Sequence, residues 1–315
     1  MSADSQSFAL NYESTLGRPL SPSDQKSAWV VIGALAAVLT YGYGNMFNYA
    51  SSFWSDPLYS HGYLIPVIAA YLFWSRRQAL VGVTNAERWI GLGILIASLA
   101  ARLFFSTYDI NPFDRASYLT ALMGITIMVG GWSMLKWAGP PIAFLIFMFP
   151  IPSVIQHSVL LWLQKLAAMS STWTLQLLGV PAIRDGSRLI IDGLELEVAD
   201  ACSGLRMSTI FGAMSVALAM MMNRPWWDRL VILLSAIPVA LLTNTIRITI
   251  TALLYRAFPG NETVEKLVHD FAGLAMMPIA MGILALELGL LRKITVPVDT
   301  EDDYAAFSAP TAANP

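Results

Sequence analysis

One cysteine and three histidines are all that 315 residues offer as thiol and imidazole. A single cysteine excludes an internal disulfide. So sparse a set of cysteine and histidine, with no carboxylate cluster beside it, gives no reason to expect a metal site, and no cofactor is expected. Charge is also scarce. Asp, Glu, Lys and Arg make up 13% of the chain, where a soluble domain carries about a quarter. The formal net charge of −2 leaves no basic excess to hold nucleic acid. Residues 1–26 are polar and contain Pro19 and Pro22. The first apolar run comes too late for a secretory signal, and no convincing small-residue cleavage site follows it.

What fills the chain is apolar: 56% hydrophobic residues, gathered in long runs with few charges, the pattern of transmembrane helices. The expected spans are 28–47, a short 62–74 broken by Pro66, 89–105, 117–135, and a fifth that follows Gly139-Pro140-Pro141 and reaches Phe149. Residues 153–178 are amphipathic, with Gln156, His157, Gln164, Lys165 and Gln176 among Leu, Trp and Met. They suit an interfacial or polar-faced bundle helix. Further spans are expected at 202–222, 230–254 and 271–291. The fold class is therefore an all-α polytopic membrane protein with about eight transmembrane helices. A single membrane domain, 27–294, is flanked by disordered tails at 1–26 and 295–315.

One stretch breaks the helical pattern. Leu189, Ile190 and Ile191 precede Asp192-Gly193, and Leu194 to Val198 then alternate apolar with charged. Asp-Gly between such runs signals a tight hairpin. A small hairpin of this kind belongs outside the lipid, where strand edges meet water. It leads directly into Ala199-Asp200-Ala201-Cys202-Ser203-Gly204-Leu205-Arg206, which holds the lone thiol. In an eight-span arrangement Lys26, Arg76-Arg77, Lys136, Arg224 with Arg229, and Arg292-Lys293 all fall on one side. The positive-inside rule makes that side cytoplasmic, and both termini with it.

Three reactive side chains then share the outer end of the membrane: Cys202 opening one helix, Arg247 near the end of the next, and His269 where the chain re-enters. A thiolate is the attacking species, and its pKa falls beside Arg, beside a protonated His, or at a helix N-terminus. His269 is placed to take the thiol proton and return it to a leaving amine. Arg247 is placed to hold a developing oxyanion, with Asn244 three residues earlier on the same helical face. Arg206 lies one turn into the cysteine helix and reads as support, and Ser203 adjoins the thiol. Each has a plainer reading: a thiol packing as a small hydrophobe, an arginine snorkelling to the interface, an interfacial histidine. His157 reads as surface chemistry, and Asp200 and Asp270 as solvated acids at helix starts.

Ala201-Cys202-Ser203-Gly204-Leu205-Arg206, Asn244-Thr245-Ile246-Arg247 and His269-Asp270 together resemble the exosortase/archaeosortase family. So does Tyr59-Ser60-His61-Gly62-Tyr63-Leu64-Ile65-Pro66, followed by Arg76-Arg77. Met207 stands where many members have serine. The resemblance implies a membrane cysteine transpeptidase of the bacterial inner membrane. Its substrates would be exported proteins with a C-terminal sorting signal of the PEP-CTERM type, cleaved through a thioacyl intermediate and passed to an unknown acceptor. It also carries the catalytic roles to Cys202, Arg247 and His269 and gives His61 a second reading, lining the path of the substrate. With water as acceptor the same chemistry is that of a thiol protease. A different class, a non-enzymatic component or transporter for exopolysaccharide export, would call for charges at mid-membrane and paired broken helices in repeated halves. The membrane lipid is the expected surrounding partner.

Overall fold

The computed structural model describes residues 18–55, 59–197, 204–222, 225–261, 278–279, 282–291 and 293. The chain is mostly helical and divides into two compact units, residues 1–159 and 160–315. Both tails, apart from 18–26, and residues 198–203 and 262–277 lie outside the described residues.

In the first unit, helix α1 (Pro22–Gly42) starts as its sequence dictates. Ser21 caps it, its hydroxyl accepting from the Asp24 N–H, and proline occupies the first helical position, where no N–H is missed. The expected single span 28–47 is interrupted: α1 turns by 72° into α2 (Gly44–Trp54). A 3-10 turn at Ser60–Tyr63 leads into α3 (Leu64–Arg76). Thirteen residues make α3 about 20 Å long, short of the hydrocarbon core of about 30 Å. Thr84 and Glu87 form a reciprocal capping box on α4 (Asn85–Thr107). Helix α5 (Asn111–Phe144) follows, closed by a 3-10 turn at Leu145–Met148.

The break in α5 is not at Gly139-Pro140-Pro141, where the prolines suggest it. Both prolines sit within helix, and the non-helical residue is Gly131, at φ 66°, ψ −169°. The chain folds back there. Arg115 Nη1 donates to the Pro150 carbonyl at 2.6 Å, although 35 residues of straight helix would hold them about 50 Å apart. Gly131 leaves the N–H of Trp132 outside the helical ladder, and it donates to Glu87 Oε1 at 3.2 Å. Glu87 therefore caps both α4 and the returning arm. Along the first arm the packing is glycine-mediated: a Cβ on Gly91 would collide with the Met128 backbone, and one on Gly124 with the backbone of Gly91 and Leu95.

These contacts sort the residues of this unit into two ends. At one, Trp29, Phe73 and Trp137 pack together, and Lys26, Arg76, Arg77, Arg88 and Lys136 lie close by in the chain. At the other, Tyr43 bonds Ser117 and Trp54 Nε1 donates to the Met148 carbonyl. Lys26, Arg76, Arg77 and Lys136 share the first end, whereas Arg102 and Arg115 lie at the second.

In the second unit, a three-stranded antiparallel meander, β1 (Ala182–Asp185), β2 (Arg188–Ile191) and β3 (Leu194–Glu197), follows α6 (Ser153–Leu177). The expected hairpin is β2–β3, with Ile191 opposite Leu194 and positive φ at Asp192 (50°) and Gly193 (83°). β1 is the strand the pattern did not announce. Helices α7 (Gly204–Met221) and α8 (Trp226–Ala257) come next, then α9 (Gly282–Leu291). Leu189, Ile191 and Ala182 of the meander bury themselves against Ala167, Ala168 and Leu175 of α6 and Ile248 and Ala252 of α8. Each leucine or isoleucine among them contributes about 1.5–3 kcal/mol by leaving water.

By length and apolarity three stretches can cross a membrane, Asn85–Thr107, Asn111–Met148 and Trp226–Ala257, and the bent pair α1–α2 makes a fourth. The expected eight are not reproduced among the described residues. α3 is too short, Thr209–Met221 and Gly282–Leu291 appear as short apolar helices, and most of 271–291 lies outside what is described. Large apolar side chains such as Val38, Val67, Leu103 and Trp162 face outward, which suits lipid rather than water.

Candidate active site

Helices α7 and α8 are joined by only the four residues 222–225, so they run antiparallel. Their contact is fixed by Phe211 of α7, buried against Val239 and Ala240 of α8. Seven residues back along α7 from Phe211 is Gly204, and seven residues on along α8 from Ala240 is Arg247. Both steps cover about 10 Å. The first turn of α7 and Arg247 are therefore level. The meander reaches the same depth, because Leu189 and Ile191 pack on Ile248 beside Arg247. Arg256, at the end of α8, donates from Nε to Asp192 Oδ2 at 2.7 Å, which ties the hairpin turn to that end.

Arg247 is 8% exposed. It lies on a stretch of α8 that is polar where an ordinary span is apolar: Thr243, Asn244, Thr245, Thr249 and Thr251 are all buried. Thr245 and Ser170 share a hydroxyl hydrogen bond of 2.7 Å. Among the described residues Asn244 Oδ1, Thr243 Oγ1, Thr249 Oγ1 and Ser171 Oγ have no hydrogen-bond partner. Buried polar groups of this kind are costly unless something satisfies them. This stretch of α8 is rich in buried polar groups that call for polar partners.

Of the site residues expected from sequence, Arg247 and Asn244 stand together on α8 in the second unit. Arg206 lies in the first turn of α7. Cys202, Ser203, His269, Asp200 and Asp270 lie outside the described residues. His61 belongs to the first unit, in the 3-10 turn before α3, with its ring 6.5 Å from that of Tyr59. Tyr59 in turn donates to Gln156 Oε1 at 3.0 Å. His157 lies in the amphipathic helix α6.

The structure also shows charged residues that sequence reading passed over. Arg102, Asp114 and Arg115 cluster at the Tyr43–Trp54 end of the first unit. Their spacing forms no motif, and only the fold-back at Gly131 and the pairing of α4 with α5 bring them to the Pro150 turn.

No curated protein and no solved structure matches the chain. One protein-family model, Transmembrane exosortase, matches residues 53–286. That span holds α3 to α8, the meander, and every sequence motif singled out above. With most of its length covered and its buried Asn244 and Arg247 inside the match, this chain belongs to the transmembrane exosortase family.

Proposed function

We propose that this protein is a membrane cysteine transpeptidase that cleaves C-terminal sorting signals from exported proteins. Cys202 attacks the scissile carbonyl and forms a thioester. Arg247 donates to the oxyanion, and His269 takes the thiol proton and gives it to the leaving amine. Asn244 and Arg206 support them, Ser203 adjoins the thiol, and His61 lines the substrate's path. The acceptor is an external nucleophile, and with water the reaction is hydrolysis.

The observation that carries this reading is the level match of Arg247 with the first turn of α7, two residues after Cys202 in sequence. A guanidinium buried among hydroxyls at the mouth of that helix suits an oxyanion. The orientation belongs to the same proposal. The end of the first unit rich in lysine and arginine faces the cytoplasm, and the meander and Arg247 face outward. A non-enzymatic role in polysaccharide export makes the thiol dispensable. The test is processing of a signal-bearing exported protein in cells carrying Cys202→Ala at matched membrane level. The mature form should vanish. Processing at the wild-type rate would remove the thiol mechanism.

A further inference from the structure

The turn at Pro150 closes a second, separate feature. A cavity of about 360 Å³ opens at the Tyr43–Trp54 end of the first unit, walled by Tyr49, Phe53, Tyr59, Arg115, Pro150 and Gln156. Arg115 is 7% exposed. Its guanidinium donates to the Pro150 carbonyl and meets Tyr49, which shares a side-chain hydrogen bond with it and whose ring centroid lies 5.5 Å away. Five N–H donors are available on that group, and a neutral carbonyl and a ring face do not balance its charge.

The buried carboxylate that acts on it, Asp114, is shared with a second arginine. Asp114 faces Arg102 at 3.8 Å, both side chains being largely buried. Arg102 is also held over the Tyr43 ring at 3.8 Å and bonded to the Gly42 carbonyl at 2.6 Å. Buried Arg115 and partly buried Arg102 thus share one buried aspartate. Asp109 lines the cavity too, but it is exposed, where water screens its charge. Desolvating an unbalanced guanidinium costs several kcal/mol. The N-terminus of α5, with Asn111 and Pro112 on the cavity wall, adds a partial positive charge to the same place.

We propose that this cavity binds the phosphate of a membrane phospholipid, which supplies the negative charge the cluster lacks. The site is at the end of the helices, where headgroups lie. Phe53, Ile151 and Val154 on its wall offer apolar surface to the lipid beyond its phosphate. Arginine suits phosphate because its planar fork bonds two oxygens at once. The site is independent of the thiol chemistry, and nothing in it requires the lipid to react.

The test uses the full chain purified in detergent, with short-chain phosphatidylglycerol, diacylglycerol and inorganic phosphate as probes, read by native mass spectrometry. Wild type should retain phosphatidylglycerol at least about tenfold more tightly than diacylglycerol, the scale of a charged hydrogen bond. Arg115→Gln should lose that preference, Arg115→Lys should keep part of it, and Arg77→Gln, at the opposite end, should not change it. Equal binding of diacylglycerol would reduce the cavity to an apolar groove, and displacement by equimolar phosphate would make it a site for free anions. Either overturns the proposal, as does full retention in Arg115→Gln. A photoreactive phospholipid on the wild-type protein guards against a variant that misfolds. Its label should fall within residues 109–115 or 150–156, and label confined elsewhere contradicts the site.

Discussion

Arg247 shows what a single residue can disclose before and after folding. An arginine inside an apolar run is conspicuous in sequence because inserting it costs about 2.5–3.5 kcal/mol, so its functional reading was available at once. The buried threonines around it were not, since threonine is common in membrane helices and only the packing of α8 shows them facing inward. Arg102 and Arg115 were illegible for the opposite reason. Each sits near a helix end, where arginine is ordinary, and their shared shortage of negative charge exists only once α4 pairs with α5. At this scale the account predicts that Arg247→Lys keeps the charge but loses most activity. An ammonium is a compact point charge, whereas a guanidinium presents a planar fork. With one oxyanion donor lost, turnover should fall about 10²–10³-fold. Steady-state cleavage of a signal-bearing peptide at equal protein concentration checks this, and wild-type turnover would make Arg247 structural.

Elements were legible where their signal is local. Asp192-Gly193 between alternating runs announced β2–β3, and the structure has that hairpin in register. β1 carries only one buried residue in four, so no alternation marked it. The helix break was misplaced because Pro140 and Pro141 are visible in sequence, whereas Gly131 turns the chain through a contact with Glu87, 44 residues away. That difference is measurable. Gly131 holds φ 66°, ψ −169° with the Glu87 carboxylate where a Cβ would stand, in backbone territory that essentially only glycine occupies. Gly131→Ala should destabilise the protein by about 1–3 kcal/mol, seen as a lower thermal midpoint in detergent. Gly179→Ala meets positive φ (78°) but open space and should destabilise the protein by only about 1 kcal/mol, with a smaller drop in the midpoint. Equal midpoints for the two variants would mean that the Gly131 turn is not under that constraint.

For the whole molecule, composition declared the membrane, and the alternation of basic residues proposed an orientation. The contacts of the first unit bring Lys26, Arg76, Arg77 and Lys136 to one end and Arg102 and Arg115 to the other. The orientation itself is a prediction. In a Cys202→Ala background, Asp185→Cys and Asn261→Cys should react with a membrane-impermeant thiol reagent on intact cells, and Gln78→Cys only after the membrane is opened. The reverse pattern would place the meander inside. The thiol reading is tested most directly by trapping the intermediate. Purified enzyme is mixed with a signal-bearing peptide, quenched in acid and mapped by mass spectrometry. A hydroxylamine-sensitive acyl adduct on Cys202 is expected, forming about 10²–10⁴-fold more slowly in His269→Ala, the range for losing a general acid. An adduct on any other residue, or cleavage that proceeds at the wild-type rate in Cys202→Ala, would contradict the account.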